Sequence, residues 1–280
     1  MTKPPRPPRR RKRKVRFGRL LAVLITPVLI LYALVMGFTF IRSLFHQPAV
    51  LSQAEKSERS LVETGYQNAC PQEVNQLTRF GIDVSQFQGD IDWYSVAESG
   101  VEYAFVRVGA KGYGTGEIYE DEKFLNNLYG AKETGIPVGV YFFSQAISDE
   151  EALQEADYVL SMLNGYPIEL PVVFDFEQPD EQEARTKNLP ADQIASQARV
   201  FLERIREGGY QPMLYLNRSL FPIYENAGLT EQYPLWYAQY GVDAPDHCGL
   251  DIWQYSESGT IPGISDHHVD LNLMRTDFNS

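Results

Sequence analysis

Pro171-Val172-Val173-Phe174-Asp175-Phe176-Glu177 is an apolar run that ends abruptly in two carboxylates. Its β-branched and aromatic residues predict a buried strand over Val172–Phe176, because such side chains pack well on a pleated surface. Side chains alternate across a strand, so Asp175 and Glu177 project to the same side with Cα atoms about 6.5 to 7 Å apart. Two carboxylates that close feel each other's charge. Glycosidic cleavage uses such a pair, one acid protonated to release the leaving oxygen and the other ionised to support a developing oxocarbenium charge. Glu177 is the better acid, because its longer side chain reaches outward, and the Asp175 charge with aromatic surroundings would raise its pKa. Taken alone, the pair is better read as strand-end carboxylates that bind a cation or a helix N-terminus, so the rest of the chain has to decide.

Outward from this strand, beginning at Phe80, short β-rich runs alternate with amphipathic helical stretches, the mark of an α/β architecture. Further strands are expected at Gly81–Val84, Tyr103–Val108, Val138–Phe143, Met213–Leu216, Leu235–Ala238, Asp251–Gln254 and Val269–Leu273. Between them, Ser148 and Glu151 form a capping box ahead of Leu153, Ala156, Leu160 and Leu163. Ile194, Ala198, Leu202 and Ile205 line one face of a helix that stops at Gly208-Gly209. Helices between the early strands imply parallel pairing, whereas the strands after Tyr224 lie too close together for full crossover helices and are expected to be antiparallel. An irregular barrel results, and carboxylates at the C-terminal end of its strands sit where active sites are built.

The 280 residues, 44% hydrophobic and 12% aromatic, suffice for one large domain and an appendage. Residues 1 to 50 hold eleven Lys/Arg and no Asp/Glu, while the remainder carries 14 basic and all 37 acidic residues. An acidic bulk is repelled by nucleic acid, which excludes that partner, and a basic end suits anionic lipid. Leu20 to Ile41 is free of charge and covers roughly 33 Å as a helix, enough to span a bilayer core. Ten Lys/Arg precede it, placing the N-terminus in the cytoplasm. Ser52-Gln53-Ala54 has the look of a signal cleavage site, but the apolar stretch exceeds the roughly 7 to 15 residues of a signal core, which favours an uncleaved anchor. The expected order is a basic cytoplasmic tail (1–19), a transmembrane helix (20–41), a stalk (42–79) and an extracytoplasmic domain (80–280). Cys70 and Cys248 both fall on the outer side, where a disulfide would survive, though two unpaired thiols are the alternative.

Gly81-Ile82-Asp83-Val84-Ser85-Gln86-Phe87-Gln88-Gly89-Asp90-Ile91-Asp92-Trp93, together with Asp175-Phe176-Glu177, closely resembles glycoside hydrolase family 25, the lysozymes. The resemblance continues through Phe105 to Gly109, Gly139 to Phe143, Met213 to Asn217, Leu235 to Tyr240, Ile252 to Tyr255 and Val269 to Asn272. It covers essentially residues 80 to 275, and several motifs in the family's order are far more specific than any one. It implies a TIM-like (β/α)5β3 barrel of the α/β class, and hydrolysis of the β-1,4 bond between N-acetylmuramic acid and N-acetylglucosamine in peptidoglycan, with no metal or organic cofactor. Carried over residue by residue, Glu177 is the general acid/base, Asp175 its partner, and Asp83 and Asp270 line the same pocket. Tyr141, Tyr215 and Trp236 are assigned to the −1 sugar pocket, where a flat apolar face with a polar edge stacks on a sugar. Gln239, Tyr240 and Gln254 are expected to add hydrogen bonds or to shape the rim. Arg107 joins the substrate-binding set, or pairs with Asp83 or Asp270 if those serve only as strand-end caps.

Asp266-His267-His268-Val269-Asp270 does not read as a zinc site, because adjacent histidines on a strand face opposite sides and no third lies nearby. Gly109 to Gly116 is expected to be a flexible strand-to-helix loop near the cleft. Two routes fit the carboxylates: attack by Asp175 on the anomeric carbon, or attack by the substrate's 2-acetamido oxygen with Asp175 orienting the amide. Family resemblance leans to the second, and both retain anomeric configuration. The rival functions are a catalytically silent glycan-binding module and hydrolysis of chitin or another amino-sugar polymer.

Overall fold

The computed structural model describes residues 75–178, 184–266 and 268–278. The elements run β1 (Leu77–Val84), a 3-10 turn (Gln86–Gln88), α1 (Trp93–Glu98), β2 (Tyr103–Lys111), β3 (Ile118–Glu120), α2 (Phe124–Glu133), β4 (Val138–Ser144), α3 (Asp149–Leu163), β5 (Val172–Phe176), α4 (Ala191–Glu207), β6 (Pro212–Asn217), α5 (Phe221–Asn226), β7 (Leu235–Ala238), β8 (Ile252–Gly259) and β9 (Val269–Arg275). The strands follow the order β1-β9-β8-β7-β6-β5-β4-β2, and β1 also pairs with β2, so eight of them close a barrel and β3 hangs on the outer end of β2. Five strand–helix units followed by three strands give the expected (β/α)5β3 order.

Direction corrects one expectation. β7 pairs parallel with both β6 and β8, and among the eight barrel strands only β9 is antiparallel, to β8 and to β1. The segment from Gln239 to Asp251 carries no helix, yet it is long enough to return the chain to the starting end, as a parallel pair needs roughly a dozen residues or more. The Gly109 to Gly116 loop is a second correction: Gly109 to Lys111 belong to β2 and pair with β3 in a short hairpin. β1 begins at Leu77, so the last residues assigned to the stalk are barrel strand.

Alternation along β5 divides its side chains between two cores. Val172, Phe174 and Phe176 pack outward against the helices. Val173 faces the lumen with Tyr103, Phe105, Met213, Trp236, Ile252 and Met274. Asp175 and Glu177 follow Val173 in the same phase and therefore emerge at the lumen's mouth. Gly81 and Gly139 make room for the lumen's largest rings: a Cβ would lie 2.3 Å from the Tyr103 ring at Gly81, and 2.2 Å from that of Phe105 at Gly139.

The helices that hold the barrel follow their sequence signals with one adjustment. Ser148 caps α3 by accepting from the Glu151 amide at 3.2 Å, but the Glu151 carboxylate turns to the Ile147 amide and to Arg185 instead of closing the box. The buried face of α3 is Ala152, Glu155, Ala156, Val159 and Leu163, while Leu153 is 41% exposed. On α4 the predicted Ile194, Ala198, Leu202 and Ile205 are all buried, and the helix ends at Gly208. Among the described residues no helix is long and apolar enough to cross a membrane. The predicted span Leu20 to Ile41, the rest of the stalk and Cys70 lie outside the described residues, whereas Cys248 is disulfide-bonded.

Candidate active site

A cleft of about 330 Å³ opens where the parallel strands end. Asp83 enters it from β1, Tyr141 from β4, Asp175 from β5, Tyr215 from β6, Trp236 from β7 and Gln254 from β8, with Arg107 from β2 and Glu177 one residue beyond β5. Asp270 reaches the same mouth because β9 runs the other way, so its first residues sit opposite the last residues of β1, with Asp83 paired to Asp270. Nine predicted residues thus meet in one cleft, and Tyr240 lines it as well. Gln239 does not: its carbonyl accepts from Trp253 Nε1 at 2.9 Å and its side chain accepts from the Asp246 amide at 2.9 Å, which fixes the long crossover after β7. A larger hollow of about 460 Å³ between α4 and α5 contains none of the predicted residues.

Asp83 is the hub of the site. Its Oδ2 accepts from Gln254 Nε2 at 2.9 Å and from Asn272 Nδ2 at 2.8 Å. Gln254 Oε1 in turn accepts from Tyr215 at 2.8 Å and Tyr240 at 2.6 Å, and Asn272 Oδ1 accepts from Trp236 Nε1 at 2.8 Å. One buried carboxylate therefore sets two amides, and those amides set three aromatic rings. Trp236 packs edge to face with Tyr215 and Tyr141, at centroid separations of 5.3 and 6.2 Å. Only 2% of Trp236 is exposed, so it forms the floor, leaving Tyr141 and Tyr240 as the more accessible polar-edged rings.

Arg107 pairs with neither Asp83 nor Asp270. Its Nε donates to the fully buried Asp121 carboxylate at 2.8 Å, and its guanidinium lies 4.8 Å from the centre of the Phe87 ring, which is 69% exposed at the rim. Among the described residues lining the cleft, five acids stand against this one cation: Asp83, Asp175, Glu177, Glu257 and Asp270. Carboxylates held this close disfavour one another's ionised forms, and the proton affinities of four of them rise. Burial, then the charge of Asp83 and the hydrogen bond shared with it, pushes Asp270 up to about 9. Asp83 is raised by burial despite the amides that donate to it. Asp175 is raised well above the usual range by burial and then by Glu177 and Asp83, with Arg107 opposing. Glu177 is raised by burial first and then by Asp83 and Glu257, so the sign matches the sequence expectation while the charges responsible differ. Asp175 Oδ1 is buried and has no hydrogen-bond partner among the described residues.

Sequence reasoning missed Glu257, Gln88 and Asn272 as parts of the site. Gln88 lines the cleft and donates to the His268 carbonyl at 3.1 Å, tying the start of β9 to the end of β1. His267 lies outside the described residues. Gln88 and Asn272 stood inside the quoted motifs, but as amides they carried no signal of chemistry. Glu257 stood in a polar run, Ser256-Glu257-Ser258, that reads as a turn.

The family model described as glycosyl hydrolases family 25 matches residues 82–264. That match stops short of Asp270 and Asn272, whose place in the site rests on the β1–β9 pairing. The autolytic lysozyme of Clostridium acetobutylicum is 28% identical over 186 residues, 66% of this chain and 52% of that protein. Lysozyme M1 of Streptomyces globisporus is 30% identical over 202 residues, 69% of this chain and 66% of that protein. The chain thus spans about half the length of the first of these curated relatives and just under two thirds of the second. Among solved structures, the bacterial lysozyme from Streptomyces coelicolor superposes with a TM-score of 0.58 at 28% identity, covering 70% of this chain and 91% of that one.

Proposed function

This chain belongs to glycosyl hydrolase family 25, and from that premise we propose that it is a lysozyme cutting the β-1,4 bond between N-acetylmuramic acid and N-acetylglucosamine in peptidoglycan. The single observation that carries the reading is the convergence of Asp175 and Glu177 with Asp83, Asp270 and polar-edged aromatic rings in one cleft. Glu177 is the general acid: it stands just past the strand end, and burial with the neighbouring acids raises its proton affinity, the direction an acid catalyst needs. It delivers that proton to the glycosidic oxygen as the bond to the anomeric carbon breaks. The substrate's 2-acetamido oxygen then bonds to the anomeric carbon, while Asp175 accepts from the acetamido N–H through its unpartnered Oδ1. Positive charge developing on the sugar favours the ionised form of Asp175 at the moment it is needed. Water opens the intermediate with Glu177 taking back a proton, and configuration is retained. Tyr141, Tyr215, Tyr240 and Gln254 contact the sugar, and Arg107 stabilises acceptor groups beside it.

The test is digestion of purified peptidoglycan by the full-length chain, followed by borohydride reduction and mass spectrometry of the new ends. Reduced muramic acid ends are expected. Reduced glucosamine ends would mean a glucosaminidase, and the absence of new ends would return the cleft to a binding role.

The membrane reading extends this proposal to place. A basic tail followed by an uncharged stretch from Leu20 to Ile41 supports a single-pass anchor with the barrel outside the cytoplasm, acting on nearby wall. Replacing residues 1 to 45 with a cleavable signal is expected to move activity from the membrane fraction to the medium; unchanged membrane retention would count against the anchor.

A further inference from the structure

Glu177 lies one residue past the end of β5, where the backbone ladder stops holding the chain. The last register pair between β4 and β5 is Ser144 with Phe176. One step further, the side chain of Gln145 takes over: its Nε2 donates to the Glu177 carbonyl at 2.9 Å. Among the described residues this is the hydrogen bond received by the Glu177 main chain. The amide is not free to turn, because Gln145 is fully buried and its Oε1 accepts from the Thr186 hydroxyl at 2.6 Å. Gln145 thus joins Glu177, just past β5, to Thr186, which lies ahead of α4.

Gln145 is itself held from behind. Glu155, fully buried on α3, accepts from the Gln145 amide at 3.3 Å through one oxygen and from the Ser144 hydroxyl at 2.6 Å through the other. A buried glutamate in a helix interior needs such partners to offset its desolvation, and its use here fixes the backbone at the end of β4. The order of support runs from Glu155 to Gln145 to Glu177, and none of these bonds is required to close the barrel, whose strands already end at Ser144 and Phe176.

We propose that Gln145 is a positioning residue for Glu177, with Thr186 locking its amide and Glu155 fixing its backbone. This rests on the reading of Glu177 as the general acid. A carboxyl displaced by even about 1 Å from its reacting oxygen costs on the order of a hundredfold in rate, so a bond to the carbonyl of that same residue bears on turnover more than on binding.

The experiment compares full-length wild type, Gln145→Met and Thr186→Val. Turnover on peptidoglycan is measured alongside thermal unfolding, and the Glu177 carboxyl is titrated by carbon-13 NMR, with its resonance identified by its loss in Glu177→Gln. Gln145→Met is expected to lower kcat by about 10- to 50-fold with KM within twofold. The Glu177 midpoint should move down as the side chain gains water, carrying the alkaline limb of the rate profile to lower pH. Asp83, Asp175, Glu257 and Asp270 face Glu177 in the cleft together with Arg107, and all remain in the variant. Thr186→Val should shift both readouts in the same direction by a few-fold at most. An unchanged Glu177 midpoint in Gln145→Met, or a kcat within twofold of wild type, would overturn the proposal. If Gln145→Met does not fold, an unchanged midpoint and rate in Thr186→Val overturn it instead. Should wild type release no reducing ends at all, the functional reading fails, and the Glu177 titration alone decides whether Gln145 positions it.

Discussion

Glu177→Gln is expected to lower reducing-end release from peptidoglycan by at least about a thousandfold while leaving binding to the insoluble polymer within about threefold. General acid catalysis by a placed side chain contributes roughly 10² to 10⁴ in rate. The upper part of that range is expected here because two neighbouring acids are otherwise engaged: Asp270 faces Asp83 across the β1–β9 pair, and Asp175 is buried within β5. Glutamine keeps the size of glutamate and removes one charge from a crowded acid cluster, so the fold should tighten rather than loosen. Loss of rate without loss of binding or folding therefore isolates the proton. Equal rates for variant and wild type would remove Glu177 from the chemistry, and parallel loss of binding would make it a sugar contact.

Asp270→Asn is expected to stabilise the protein at neutral and alkaline pH and to do nothing for it in acid. The folded-state pKa of Asp270 is pushed up to about 9, against about 3.9 for an unfolded aspartate. A carboxyl raised on folding contributes stability that is fully present below the unfolded value and is lost as pH rises through the folded value. Each such proton is worth about 1.4 kcal/mol per pH unit within that window. Asparagine ends this dependence: it stays neutral and can still donate to Asp83. Water in the open cleft screens the acids from one another, so we expect about 2 kcal/mol near pH 7. For a domain of this size that is a rise of about 4 to 8 °C in Tm. Thermal unfolding of both proteins from pH 4 to pH 9 checks this: the difference should grow with pH and vanish near pH 4. A constant difference, or a loss of stability at pH 8, would mean that Asp270 is not held protonated by the cluster. Stabilisation by deleting an acid from the proposed active-site cluster would also fit the general cost of building active sites.

Much of the fold is legible because its signals are local. The alternation in Val172-Val173-Phe174-Asp175-Phe176 sends three side chains to the helices and leaves the acids facing the lumen, whatever the neighbouring strands do. The helix over Ala191–Glu207 declares its buried face and its glycine stop in the same way. On α3 the predicted Ala156 and Leu163 are buried and Leu160 is half-buried, but Ala152 takes the buried place expected for Leu153, since both positions are compatible with a helical stripe. The direction of β7 and β8 was misjudged because a crossover without a helix leaves no periodic signature.

The sequence by itself determined the strand and helix order, the pairing of Asp175 with Glu177 on one face, and the family motifs around Asp83, because each depends on residues a few positions apart. Only the tertiary structure decided that Asp83 and Asp270 face each other across the β1–β9 pair, that Gln254 and Asn272 link Asp83 to Tyr215 and Trp236, and that Gln145 holds the Glu177 main chain. Those contacts join residues far apart in the chain. They exist because barrel closure brings the ends of β1, β8 and β9 together, and the energies of buried acids depend on which charges and amides that closure makes their neighbours.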